Sequence, residues 1–221
     1  MSTQVQIPKL FDDEYIFPDP YKASTKGLLA WGGDLCEERL LSAYRNGIFP
    51  WYSKDDPILW WSPDPRLILL PEEFKITKSL KKSRKKFTIK YNANFEEVIS
   101  KCKDLRRDTW ISDEMKEAYI SLHKKGYAKS IECFYQDKLV GGLYGVQIGS
   151  VFCGESMFST VSDASKVALW ELCDIMKENK GSFIDCQMPT EHLMSLGAIA
   201  IKRDDYLNML STCKDEKGGF L

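Results

Sequence analysis

Three polar side chains stand where residue type and spacing could serve chemistry. Asp185 and Gln187 lie two apart in the run Ser182–Gln187, which reads as a strand, so their side chains are expected on one face. An ionised Asp185 there could polarise or position Gln187. Glu155 follows the extended run Ser150–Gly154, at the end of another strand. For each residue the competing reading is a polar group that only caps a strand end.

A second constellation is electrostatic. From Lys75 to Lys90 (KITKSLKKSRKKFTIK) there are eight basic residues and no acidic one. As a helix over 75–87, this segment places Ile76, Leu80 and Phe87 on one narrow seam and Lys75, Lys78, Lys82, Lys85 and Lys86 opposite. A face selected for solubility alone usually alternates charge to gain i,i+4 pairs. An uninterrupted run fits a phosphate backbone better than a merely solvated face.

The elements that must position these groups are legible mainly in the second half. Asn94 opens a helix near 95–104, Ser112 opens another toward Lys125, and Gly126 closes it. Three antiparallel strands are expected next: Ala128–Tyr135, Leu139–Ile148 and Ser150–Gly154. A helix opening at Ser162 or Asp163 follows, then the strand 182–187, a short helix over Thr190–Leu196, a strand over Ala198–Lys202 and a last helix from Asp204.

The first third reads as short helices and rigid loops. Asp34-Leu35-Cys36-Glu37 has the form of a capping box, and Gly47 ends the helix it opens. From Ile48 to Arg66, four prolines and three tryptophans exclude a helix or a central strand. The stiff loop expected there fills a seam between two lobes with its rings, or walls a ligand site with them. The boundary between lobes is placed near residue 65.

Bulk properties set limits. With 221 residues, 43% apolar and 29% charged, the chain has material for one good core, or for one core plus a small accessory lobe. Met1–Gln6 has no charged start followed by an apolar run, and no stretch approaches a membrane span, so a cytoplasmic protein away from membranes is expected. Seven widely spaced cysteines and two histidines, without Cys-x-x-Cys, match neither a disulfide framework nor a zinc site. The cysteines are expected to be mostly buried, and the absence of a coiled-coil pattern makes a monomer the expectation.

Several blocks, in order along most of the chain, resemble the bacterial leucyl/phenylalanyl-tRNA–protein transferases. They are Gly27–Leu35 (GLLAWGGDL), Tyr44–Trp51 (YRNGIFPW), Pro57–Arg66 (PILWWSPDPR), Gly141–Gly145 (GGLYG), Phe152–Ser159 (FCGESMFS), Asp163–Lys166 (DASK) and Ile184–Gln187 (IDCQ). The element order ααβββαβαβ is that of an α+β acyltransferase of the GCN5-related type. With the resemblance it implies an N-terminal lobe over 1–65 and a catalytic domain over 66–221 with a mostly antiparallel mixed sheet.

The resemblance also implies an activity: transfer of Leu or Phe, and by extension Met, from aminoacyl-tRNA to a protein whose N-terminus is Arg or Lys, marking that protein for degradation. No metal or small cofactor is implied. For catalysis the resemblance points to Asp185 and Gln187, the amide oxygen of Gln187 holding the incoming amine, and to Glu155, which falls in a matching block and either orients the amino acid's α-amine or helps bind the cationic acceptor residue. Leu143, Phe152 and Leu172 match the amino-acid pocket, with Leu replacing a family Met at the first and a family Phe at the third. Trp51 and Trp110 match tryptophans near the terminal adenosine, where an indole can stack on a base. Lys78, Lys82, Lys85 and Lys86 are the expected tRNA contacts. Thr190 stands where the family has Asn, and the chain ends soon after Leu210, short of a longer family tail.

Two rivals remain. An acetyl-CoA-dependent acetyltransferase would cradle pyrophosphate on a glycine-bearing loop before the central helix, but Met157–Ala164 contains no glycine. A tRNA-binding module without turnover would use the basic segment alone.

Overall fold

The computed structural model describes residues 7–11, 15–105, 109–216, 219 and 221. Before residue 65 the chain builds a small sheet from β1 (Lys9–Leu10), β2 (Leu28–Gly32), β3 (Phe49–Pro50) and β4 (Leu59–Trp61), in the order β1-β2-β4-β3. The sequence reading had only loops and short helices here. Strands this short survive the prolines because Pro50 lies on edge strand β3, where a missing N–H breaks no central ladder.

Helix α1 (Glu37–Arg45) begins two residues later than a capping box opening at Asp34 would have it. Cys36 occupies the cap position, while Asp34 Oδ1 accepts the Cys36 backbone N–H at 3.0 Å and Arg39 Nε at 3.0 Å. The Asp34 carboxylate therefore turns the chain into the helix and neutralises a fully buried Arg39 instead of capping. Gly47 ends α1 with φ +71°, and a Cβ there would collide with Tyr206 and Leu207.

The larger sheet has seven strands: β5 (Arg66–Leu69), β6 (Thr88–Tyr91), β7 (Ala128–Tyr135), β8 (Lys138–Ile148), β9 (Val151–Ser159), β10 (Phe183–Gln187) and β11 (Ile199–Ile201). Their order is β11-β5-β10-β9-β8-β7-β6, antiparallel throughout except for the parallel pair β9–β10. Strands β5 and β6 went unforeseen, since one follows Pro65 directly and the other lies at the end of the lysine run.

Helices α3 (Phe95–Asp104), α4 (Asp113–Lys124) and α7 (Arg203–Cys213) contribute to one core, which also takes in α1 and the small sheet. Helix α5 (Ala164–Glu178), with α2 (Lys78–Arg84) and α6 (Glu191–Ser195) beside it, builds a second core on the other face. Alternation along β8 past the register shift at Val140 shows the two-sidedness: Tyr144 and Val146 belong to the first core and Leu143 to the second. The small sheet thus shares its core with the larger sheet.

The basic helix is shorter than the sequence suggests. Thr77 caps it by accepting the Leu80 N–H at 3.1 Å, which leaves Lys75 and Ile76 outside. Leu80 is buried against the α5 core as expected, and Phe87 packs there from the following turn.

Candidate active site

A β-bulge makes the site. Strand β8 pairs Tyr144 with Ser156 and Gly145 with Gly154, so Glu155 has no residue opposite it. The alternation inverts there: Cys153 faces the α3–α4 core and Phe152 the α5 core, whereas beyond the bulge Phe158 faces the first and Met157 the second. Gly145 permits this, because a Cβ on it would lie 2.2 Å from the Cys153 carbonyl oxygen.

The parallel ladder between β9 and β10 runs from Phe183↔Val151 to Asp185↔Cys153 and stops at the bulge. On β10 the register also slips between Asp185 and Gln187, with Gln187 at φ +63°. The two strands part, and a cleft of about 340 Å³ opens between them. Leu143, Phe152, Leu169, Leu172 and Ile184, all buried and all in the α5-side core, make its apolar wall. Trp51, about 40% exposed, and half-buried Trp110 also line it. Glu155 and Gln187 are its principal polar residues.

Around Glu155 the polar groups are closely connected. Its Oε1 accepts the Tyr44 hydroxyl at 2.7 Å and Gln187 Nε2 at 2.7 Å, and its Oε2 accepts the Tyr119 hydroxyl at 3.0 Å. The two tyrosine hydroxyls also hydrogen-bond to each other. Burial pushes the carboxyl up to about 7, against the pull of these three donors and with a small repulsion from Asp185. Gln187 lines the cleft, and its Oε1 has no hydrogen-bond partner among the described residues.

Asp185 sits apart from the cleft. It is 1% exposed and accepts Arg66 Nε at 2.8 Å, Arg66 Nη2 at 2.6 Å and the Tyr206 hydroxyl at 2.9 Å. The guanidinium is itself packed between the Phe49 and Tyr206 rings, at 4.8 and 4.4 Å, and donates to the Gly47 carbonyl at 3.1 Å. The shared face expected for Asp185 and Gln187 is lost at the register slip. Their connection runs instead through the backbone, Gln187 N–H donating to Asp185 Oδ1 at 2.9 Å, which holds Gln187 in its left-handed conformation.

The sequence brought forward five cleft residues that the fold does assemble, Trp51, Trp110, Leu143, Phe152 and Leu172, together with Glu155 and Gln187. It missed the supports. Tyr44 and Arg66 entered only as ends of the blocks Tyr44–Trp51 and Pro57–Arg66, with no role of their own, and nothing in a single sequence distinguishes Tyr119 or Tyr206 from ordinary core residues. Thr190 lines the cleft and caps α6, accepting the Leu193 N–H at 3.2 Å, a task an Asn performs equally well. Lys78, Lys82, Lys85 and Lys86 are exposed and form no ion pair among the described residues. Arg84, by contrast, fastens α2 to α5 through Glu171 and Asp174 and lies 4.6 Å over the Trp170 ring.

Fold and site together define a two-sheet α+β protein whose ligand cleft passes through the larger sheet at a bulged, splayed pair of parallel strands. Family models for the leucyl/phenylalanyl-tRNA protein transferase N-terminal domain and for leucyl/phenylalanyl-tRNA protein transferase match residues 33–64 and 68–211. The chain belongs to that family. A leucyl/phenylalanyl-tRNA–protein transferase of Legionella pneumophila is 54% identical over 95% of this chain and 98% of its own length. Those of Sulfurimonas denitrificans (51%, covering 92% and 91%) and Flavobacterium johnsoniae (49%, covering 92% and 98%) are similar. A functionally unknown conserved protein from Staphylococcus epidermidis superposes with TM-score 0.41 at 8% identity, covering 79% of this chain and 68% of its own, a likeness too slight to carry any inference. Among the described residues no helix is long and apolar enough to cross a membrane, and no cluster of His, Cys, Asp or Glu could hold a metal.

Proposed function

We propose that the cleft receives the leucyl or phenylalanyl group of a charged tRNA and that the protein transfers it to the α-amine of a polypeptide beginning with Arg or Lys. The observation that carries this is a cleft lined together by an apolar wall, the two polar side chains Glu155 and Gln187, and the indoles of Trp51 and Trp110. The amino-acid side chain enters toward Leu143, Phe152 and Leu172, its α-amine meets Glu155 and Gln187, and the terminal adenine stacks on Trp51 or Trp110. The exposed lysines 78, 82, 85 and 86 take the tRNA backbone.

The aminoacyl ester is already activated, so the protein's work is alignment and charge handling. Gln187 Oε1 is a free acceptor for an amine N–H, with its Nε2 held by Glu155. Asp185, buried on Arg66, acts as a positioning residue that fixes the Gln187 backbone. In architecture we assign residues 66–221 to a GCN5-related acyltransferase-like domain and 1–65 to an N-terminal lobe, and the protein to the cytoplasm as a monomer. Acetyl-CoA is disfavoured at the start of α5, where Asp163 receives Ser83 Oγ and Lys166 Nζ and so places a carboxylate where a pyrophosphate would bind.

The test is transfer of labelled leucine from leucyl-tRNA to peptides beginning with Arg, Asp or Ala, beside a reaction offered acetyl-CoA. Label on the Arg peptide alone supports both the activity and the acceptor rule. Binding of tRNA with no transfer to any peptide would reduce the protein to a tRNA-binding module.

A further inference from the structure

Three acidic or hydroxylic groups meet beneath the cleft, and their protons can be counted. Tyr44 on α1 contacts Glu155 Oε1, Tyr119 on α4 contacts Oε2, and the two hydroxyls contact each other. With both hydroxyls donating to the carboxylate oxygens, the contact between them has no proton of its own. A protonated carboxyl, donating to one of the two tyrosines, supplies it. Gln187 Nε2 cannot, because it already donates to Oε1.

We infer that Glu155 is a protonated carboxylic acid in the empty cleft and that an α-ammonium seated on it expels that proton, so aminoacyl binding releases one proton to the solvent. The inference rests on the cleft being an aminoacyl site.

The surroundings support a neutral resting state. Tyr44 is 1% and Tyr119 0% exposed, and among the described residues no lysine, arginine or histidine hydrogen-bonds to Glu155. The other titratable groups facing this region are Tyr144 on β8, edge-on to the Tyr119 ring, Cys153 on β9, and Asp185 on β10, whose charge is matched by Arg66 on β5. Burial pushes the Glu155 carboxyl up to about 7, the direction a neutral resting acid requires.

The balance is simple. Glu155–COOH and R–NH₃⁺ give the ion pair Glu155–COO⁻···⁺H₃N–R and one proton, which leaves with the buffer. Above about 7 the free carboxyl is itself ionised and the release fades, and above the amine's own pKa, roughly 7.7–8.0 for an α-amino group, forming the same ion pair takes a proton up from solvent. The exchange has a consequence for transfer. Two α-amines must occupy this site, and only the acceptor's may attack; a donor amine held as ammonium on Glu155 cannot be a nucleophile, which keeps the donor from acylating itself.

Two measurements test this on the full chain. Infrared difference spectra of the free protein should show a carboxylic-acid C=O band at pH 6 that fades as the pH is raised through about 7 and is absent from Glu155→Gln. Should that variant not fold, Tyr44→Phe takes its place: losing a donor to the carboxylate moves the band's midpoint upward. A free protein with no such band at pH 6 overturns the inference whatever the ligand does.

The second is calorimetric binding at pH 6 in buffers of different ionisation enthalpy. The ligand is an adenosine carrying phenylalanine through a 3′-amide, and its control is the analogue with 3-phenylpropionyl in place of phenylalanyl. Release of close to one proton with the first and none with the second is the expected result. Binding of both with equal proton exchange overturns the inference. If transfer to the Arg peptide fails while the acid band and proton release are found, the fault lies in the proposed activity and not here.

Discussion

Replacing Asp185 by Asn should disable the protein mainly by unfolding it, and the size of the effect follows from the donors that converge on the carboxylate. Four meet there: two from Arg66, one from the Tyr206 hydroxyl and one from the Gln187 backbone. An Asn side chain keeps one acceptor oxygen and turns an N–H₂ toward a guanidinium or a hydroxyl, so about half of these bonds are lost. Charge-assisted bonds contribute roughly 1.5–3 kcal/mol each. The remaining Arg66 is 1% exposed and keeps an unneutralised charge, for which the usual cost is about 3–5 kcal/mol. Against a total stability of order 5–15 kcal/mol this is a third or more.

The assay is urea unfolding followed by tryptophan fluorescence, run beside transfer of labelled leucine at a temperature where the variant is still folded. A double variant, Asp185→Asn with Arg66→Met, removes the stranded charge and should recover part of the lost stability without recovering the Gln187 geometry or full turnover. If Asp185→Asn costs less than about 1 kcal/mol and yet abolishes transfer, Asp185 acts on the chemistry directly and the positioning account is wrong.

Three other outcomes are expected. Changing Lys78, Lys82, Lys85 and Lys86 together to Ala should leave stability nearly unchanged and lower the salt dependence of tRNA binding by about 3 in log–log slope, since each phosphate contact contributes roughly 0.7–0.9; an unaltered slope in a salt titration makes the patch a solvated face. Leu172→Phe, which puts the family's residue in the cleft wall, should shift the ratio of kcat/KM values from the phenylalanyl toward the leucyl donor without abolishing either; the ratio is the readout, because overpacking also costs about 1–3 kcal/mol. For Glu155, an unfolded carboxyl titrates at about 4.3 and the folded one near 7. The native state therefore holds the extra proton between those values, and stability should fall as pH rises across that window, by up to roughly 1.4 kcal/mol per pH unit from this group. Denaturation midpoints for Glu155→Gln should lack that component of the slope.

What the sequence disclosed follows from how local each signal is. Helices α3 and α4 and strands β7, β8 and β10 lie within a residue or two of their expected ends, and α5 opens where expected, because caps such as Ser112, which accepts the Met115 N–H, and alternation along buried strands are written in neighbouring residues. The small sheet was invisible for the converse reason. Its strands have two to five residues, and Phe49–Pro50 becomes a strand only because Trp60 and Trp61 arrive beside it from ten residues on. Strand β9 was expected to stop at Gly154, yet it continues to Ser159, since a bulge restores pairing one register away.

The same bulge explains why the site could be named residue by residue and still not be drawn. An unbroken β9 would point Glu155 to one face of the sheet and Ser156 to the other. The extra residue parts β9 from β10, so that apolar Phe152 and Ile184 open the α5-side core to a ligand just where Glu155 drops onto Tyr44 and Tyr119 from the opposite core. A cleft through a sheet exposes hydrophobic walls and a buried acid together, and each would be costly alone. Arg66 and Asp185 make the arrangement tolerable, clamping β5 to β10 immediately beside the slip. The ion pair is thus placed where the ladder is weakest, and its worth is in holding Gln187 at an angle that no continuous strand allows.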